Sequence, residues 1–283
     1  MKLLGRLFTS LASGGLSASA ALTFLCRIGG LGLNFLITYI ITNNYGDKVF
    51  GNYSLPFTIA QASKLNYALG LPTAIVSYIG LKPIRDSFSQ FILKKTIKLI
   101  LPITLIPFII YYFLAEDIAL YLFKNVDFSI YITIVAFTIP VMVLHELILY
   151  FFIATGNFLR FNIFMFVVPN IILLLLLLFF TNVPDHYTLF FYAISVLCVL
   201  VTELLFAFKT TKPFTSEALG YRKILTFSAP MMFSGLMLYM LNWTDIFILG
   251  AMVSEEELGH YNLAYKIASL SMIVIISINV VIA

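Results

Sequence analysis

Apolar stretches of roughly the length needed to cross a bilayer alternate with short polar breaks along the whole chain. The breaks place spans at about Ser17 to Ile41, Ser54 to Gly80, Leu99 to Ala115 and Ser129 to Ala154. Four more follow at about Asn162 to Thr181, Tyr187 to Phe208, Ile224 to Gly250 and Tyr261 to Ala283. Each must be a helix, because unpaired backbone groups in hydrocarbon cost several kcal/mol and only helices or closed barrels avoid that cost. The alternation a barrel needs is absent. The pattern predicts an all-α integral membrane protein with about eight transmembrane helices.

Composition agrees: of 283 residues 61% are hydrophobic and 11% charged, with a mean hydropathy of +1.02, where a soluble domain carries about 25% charged residues. That excludes a soluble fold. Cys26 and Cys198 lie inside apolar runs and read as thiols packed like small hydrophobes. Leu7 to Leu16 is broken by Thr9, Ser10, Ser13, Gly14 and Gly15, which argues against a secretory signal.

The net charge of +4 is a topology record, not a nucleic-acid surface. With the N-terminus inside, one set of loops and span ends holds Lys2, Arg6, Lys82, Arg85, Lys94, Lys95, Lys98, Arg160, Lys209, Lys212, Arg222 and Lys223. The other set holds only Lys48 and Lys124, beside Asp47, Glu116, Asp117, Asp127, Asp185 and the run Glu255-Glu256-Glu257. The basic bias predicts a cytoplasmic N-terminus. Residues 1–16, with Leu3, Leu4, Leu7, Phe8 and Leu11 on one side, predict an interfacial amphipathic segment.

An internal repeat divides the rest. Phe50-Gly51-Asn52-Tyr53-Ser54-Leu55-Pro56-Phe57-Thr58-Ile59-Ala60 lies without gaps on Leu258-Gly259-His260-Tyr261-Asn262-Leu263-Ala264-Tyr265-Lys266-Ile267-Ala268, with Gly, Tyr, Leu, Ile and Ala in register. Six spans separate the copies, as in transporters built from parallel repeats. The expected organisation is a six-helix lobe over 17–208, a cytoplasmic linker over 209–223 and the start of a second pseudo-symmetric lobe over 224–283. On this reading the second lobe stops after two helices, so the chain is expected to be a fragment or a shortened gene product; a complete eight-helix protein is the alternative.

Six ionisable residues fall within the spans: Arg27, Lys64, Glu146, Glu203, Asp245 and Lys266. At roughly 3 kcal/mol each on insertion scales, they should face a bundle interior or a watery cavity. Glu203 is close enough to the span end to be satisfied by water or Lys209, and Asp245 and Lys266 sit at similar depth on consecutive helices, where they could pair. Arg27 and Lys64 have no acid at matching depth in their own hairpin. They read either as ligands for an anion or as partners of Glu146. His145, next to Glu146, is a satisfied polar residue or a proton relay. Pro56, Pro72, Pro102, Pro107, Pro140, Pro169 and Pro230, with Gly29, Gly30 and Gly32, allow kinks and close helix contact. No zinc-spaced cluster, phosphate-binding Gly-Lys-Ser/Thr loop or Gly-x-Ser-x-Gly elbow occurs, so neither an enzyme, a metal nor a cofactor is expected.

Arg27-Ile28-Gly29-Gly30-Leu31-Gly32-Leu33-Asn34-Phe35, Tyr45 to Ser54 and Leu69-Gly70-Leu71-Pro72-Thr73-Ala74 resemble the first helix pair of O-antigen and polysaccharide flippases. Pro230, Ser234-Gly235-Leu236, Asn242 to Gly250 and Glu257 to Lys266 are similar to that family's seventh and eighth helices. The resemblance implies two pseudo-symmetric lobes around a central cavity in the bacterial cytoplasmic membrane. It implies an undecaprenyl-diphosphate-linked oligosaccharide as substrate and an ion gradient as drive. Implied partners are membrane lipids and the polysaccharide polymerase and chain-length machinery. Arg27 and Lys64 would then bind the diphosphate, while Glu146, His145, Asp245 and Lys266 would serve ion coupling or pair as structural charges.

The basic bias makes the first prediction. Cysteines introduced at Lys48, Lys124 and Asp185 should react with an impermeant thiol reagent added to intact cells, whereas those at Arg85, Arg160 and Lys212 should not; external labelling of the second set would reverse the topology.

Overall fold

The structure is a computed structural model that describes residues 16–181, 183–209 and 220–282. All but Leu16 of the expected interfacial segment, and residues 210–219 of the expected linker, lie outside the described residues. Helices follow one another with short joints: α1 (Leu16–Tyr45), α2 (Asp47–Tyr67), α3 (Leu71–Ile79), α4 (Ser87–Phe113), α5 (Ala115–Phe123) and α6 (Ser129–Ala154). They continue as α7 (Phe158–Asn162), a π turn (Ile163–Val167), α8 (Val168–Phe179), α9 (Tyr187–Ala207), α10 (Tyr221–Met252) and α11 (Glu255–Ile282). No strand occurs among the described residues.

Six helical stretches are long and apolar enough to cross a membrane: Leu22–Tyr45, Ser87–Phe113, Val126–Ala154, Phe158–Phe179, Tyr187–Ala207 and Tyr221–Leu241. The chain is a multi-pass membrane protein. α6 is its inner post, packed against α2, α3, α4 and α9 and buried over more than half its length, from Tyr131 to Ala154. α4 instead turns Leu101, Leu105, Ile109 and Phe113 outward, the arrangement lipid requires.

Several predicted boundaries move, each for a visible reason. The helix at the second predicted span begins at Asp47, not Ser54, because the polar Asn52 and Ser54 find partners on α11. It also breaks at Ala68 to Gly70. There Leu69 and Gly70 take left-handed backbone (φ 52° and 66°), and Pro72, lacking an N–H, sits in the first turn of α3. A Cβ on Gly70 would stand 2.8 Å from the Met232 nitrogen of α10, so close approach requires glycine there as much as φ does. α4 starts at Ser87, twelve residues before the apolar run, because Asp86 caps it by accepting from Phe88 N (3.0 Å) and Ser89 N (3.1 Å). The expected loop from Glu116 to Phe128 is mostly α5 and a 3-10 turn. Ser129 to Ala154 is helical as predicted.

Two joints are minimal. Gly46 (φ 96°) ends α1 by donating to Ile41 O and Thr42 O and starts α2 by accepting from Phe50 N. α11 opens with a reciprocal cap in which Ser254 N and Oγ bond the Glu257 carboxylate and Glu257 N donates to Ser254 Oγ. Those bonds hold the exposed Glu257 carboxyl below the usual carboxylate range.

Candidate functional site

The two copies of the repeat pack against each other. A Cβ on Gly51 would strike the Glu255 carbonyl, and one on Gly259 the Asp47 carbonyl; from the same positions Gly259 N and Gly51 N are 3.2 and 3.3 Å away. Corresponding residues answer one another around this crossing. Asn52 donates to Glu255 (3.3 Å), and its counterpart His260 meets Asp47, the counterpart of Glu255, at 3.0 Å. Deeper in, Asn262 donates to its own counterpart Ser54 at 2.6 Å. The Glu255 carboxylate also accepts from Asn125 (2.6 Å) and pairs with Lys48 (3.2 Å). A cavity of about 400 Å³ opens beside it, lined by Lys48, Asn52, Leu55, Asn125, Gly250 and Glu255 among others. The outermost pairs are half in solvent and contribute about 0–1 kcal/mol each. Backbone approach at the glycines is therefore the stronger element of this seam.

A second polar centre lies between α2, α6 and α9. His145 and Glu146 are adjacent on α6 and so point about 100° apart. Glu146 reaches Lys64 of α2 (Nζ to Oε2, 2.9 Å), and His145 Nδ1 reaches Glu203 of α9 (Oε2, 2.9 Å). The Glu203 side chain is 0% exposed, against 13–15% for the other three, and its Oε1 is buried without a hydrogen-bond partner. Lys209 is not its partner; the expected local solution gives way to a cross-bundle one because α6 brings His145 to the same depth.

The third feature is a stripe on α1. Asn34 and Thr38 each fall within about 20° of Arg27 at 100° per residue. Lys266 of α11 donates to Asn34 Oδ1 (3.0 Å) and Thr38 Oγ1 (2.5 Å) and lies 5.2 Å from the Phe50 ring centroid. The stripe therefore faces α11. Arg27 is exposed on it, its guanidinium 5.6 Å from the Phe166 ring, and no carboxylate pairs with it among the described residues.

These positions revise the expectations. Glu146 partners Lys64 rather than Arg27, so Lys64 is no open anion ligand. Asp245 and Lys266 do not pair as expected: Asp245 accepts from Tyr261 one turn away on the opposite helix, while Lys266 points to α1. The reading from sequence missed Phe166, which the π turn before Pro169 sets against α1. A proline ring cannot continue a regular helix over the residue four back, and the backbone widens. The Phe166 carbonyl accepts from Asn170 (2.9 Å), and Gly30 packs so closely that a Cβ there would lie 2.7 Å from it. It also missed Tyr239, which stacks on Trp243 and donates to Thr58 O of α2 (2.9 Å).

Breaking a largely buried pair from one side leaves a charge uncompensated, at about 3–5 kcal/mol. Lys64→Met and Glu146→Gln should each lower the thermal stability of the detergent-solubilised protein, and the double variant should lose less than the sum of the two. Additive losses in this cycle would mean the pair is not coupled.

Among solved structures, this fold is similar to that of the MATE multidrug transporter DinF-BH in complex with R6G, at a TM-score of 0.60 and 16% identity. The match covers 95% of this chain and 61% of that one, so this chain spans less than two thirds of the transporter's length. A search of curated proteins returned no match. The profile of the family described as "Polysaccharide biosynthesis protein" matches residues 16–283. A helical bundle of MATE-like fold, matched by that profile from the start of α1 to the last residue, places this chain in the polysaccharide biosynthesis protein family.

Proposed function

We propose that this chain acts in a flippase that carries an undecaprenyl-diphosphate-linked oligosaccharide, an O-antigen or other polysaccharide repeat unit, from the inner to the outer leaflet of the bacterial cytoplasmic membrane. In this reading α2 with α3, and α11, also cross the bilayer. The helices up to α9 form one lobe, α10 and α11 begin a second, and the N-terminus is cytoplasmic. The seam end, at Gly46 and Ser254, is then external. The observation that carries the reading is Arg27, an exposed arginine on the α1 stripe that faces α11, with no carboxylate among the described residues to neutralise it. A guanidinium so placed matches a diphosphate through forked, charge-assisted hydrogen bonds. Lys266 is the second cation on this face.

A drug exporter of the same fold is the second reading, favoured by the likeness to DinF-BH. It predicts altered drug susceptibility and unchanged surface glycan when the gene is deleted.

Hydrogen bonds to a charged group contribute about 1.5–3 kcal/mol, or about ten- to hundredfold in binding. In a strain whose sole copy carries Arg27→Ala, surface glycan should fall at least tenfold at unchanged protein level, with Arg27→Lys intermediate because it keeps the charge and loses the fork. Normal display by the alanine variant would remove Arg27 from the substrate site.

For the coupling ion we infer a proton held at the His145–Glu203 pair, where Glu203 Oε1 is the buried oxygen still open to it. Glu203→Gln should keep protein level and lose export together with its sensitivity to a protonophore. Full export with the sensitivity intact would exclude the pair from coupling.

A further inference from the structure

Lys94, Lys95 and Lys98 stand near the start of α4, and no acidic residue follows the Asp86 cap before that helix ends at Phe113. Lys94 and Lys98 are exposed, one turn and about 6 Å apart along the axis. At 100° per residue they share an arc of about 80° with Leu101, Leu105 and Ile109, which α4 turns outward. The two lysines therefore head the lipid-facing stripe. Lys94 is about 28 Å from Phe113 at the far end of the helix, close to the thickness of a bilayer's hydrocarbon, so both ammonium groups reach the headgroup layer. Like charges at this spacing repel, and among the described residues no carboxylate pairs with either. The counter-charge must come from the bilayer.

The start of α10 adds to the same cluster. Lys95 lies 5.2 Å from the Phe91 ring of its own helix and 4.8 Å from the Tyr221 ring of α10, which holds the first turn of α10 beside the lysines of α4. Arg222 and Lys223 follow Tyr221, both exposed, and the next acidic residue along α10 is Asp245, more than six turns away. We propose that these inner ends of α4 and α10 form a binding site for an anionic phospholipid whose headgroup carries two phosphates, as in cardiolipin, with Lys94 and Lys98 on one helix and Arg222 and Lys223 on the other meeting the phosphates. Lysine does so as a point charge and arginine through its fork. The acyl chains lie along the stripe from Leu101 to Ile109. A lipid seated there ties α4 to the first helix beyond residue 209, adding to the direct contact of Lys95 with Tyr221. The site is on a different helix and a different face from Arg27, and it goes beyond the proposed transport of a lipid diphosphate.

The test counts lipids bound to the full chain in an uncharged detergent by native mass spectrometry, with cardiolipin, phosphatidylglycerol and phosphatidylethanolamine offered separately. Cardiolipin should bind tightest. Each lysine beside an anionic headgroup is worth about fivefold in binding, so Lys94→Gln and Lys98→Gln should each weaken cardiolipin by about that factor and together by about twenty-five-fold. Lys94→Arg with Lys98→Arg should keep it. Arg85→Gln with Arg160→Gln, which removes as much charge from the same end of the bundle, should change it by less than about twofold if binding is local. Cardiolipin should also raise the melting temperature of the unsubstituted chain and of the arginine variant, and not that of the double glutamine variant. Equal losses in the two glutamine pairs would make the attraction a property of the whole basic end and overturn the site. Phosphatidylethanolamine binding as tightly as cardiolipin would overturn it too, and so would displacement of cardiolipin by an equal amount of undecaprenyl diphosphate, which would assign the cluster to the proposed substrate. Glycan export enters none of these measurements. A chain that holds the lipid but exports no glycan contradicts only the transport reading, and loss of the lipid site leaves that reading standing.

Discussion

Hydrocarbon offers no partner to a polar group, and the arrangement of this protein follows from where each such group finds one inside the chain. Twelve of the residues on α2 are buried, among them Asn52, Ser54, Thr58 and Ser63. Ser54 and Thr58 turn back to their own helix, and Ser63 meets Tyr111 of α4 at 2.9 Å. Asn52 and Ser54 also use α11. A helix this polar needs other helices around it to satisfy its side chains, which is why α2 sits between α6 and α11 while apolar α4 stands outside.

The same constraint explains how much could be read beforehand. Length and hydropathy locate α1, α6, α9 and α10 because each is apolar over most of its length, and α6 matches its predicted limits. The method fails on α2, where polarity looks like a loop but is an interhelical contact, and at the start of α4, where an aspartate cap and Lys95, lying against the Phe91 and Tyr221 rings, carry the helix beyond the apolar run. Ser254 and Glu257 were legible as a reciprocal cap, since the spacing alone specifies it. Read only as part of an acidic run, they pointed to charge instead of geometry.

Among the charged residues, position in sequence indicates depth but not azimuth. Lys64, Glu146, His145 and Glu203 were each recognisable as intramembrane charges. Their pairing required knowing which neighbour of α6 lies on which side, and a single residue's rotation separates the two pairs. Arg27 has no carboxylate beside it among the described residues for the opposite reason: its stripe looks toward α11, whose lysine is already bound by Asn34 and Thr38.

The contact between the repeat copies has a consequence for how such a chain can change over generations. In most duplicated proteins each copy is free to drift once its own neighbours tolerate it. Here the copies are each other's neighbours at Gly51 and Gly259, so a side chain gained in one half collides with the backbone of the other. Neither half of the gene can be altered there alone. This mutual restraint acts inside the two eleven-residue segments, Phe50 to Ala60 and Leu258 to Ala268, whose sequences match in register.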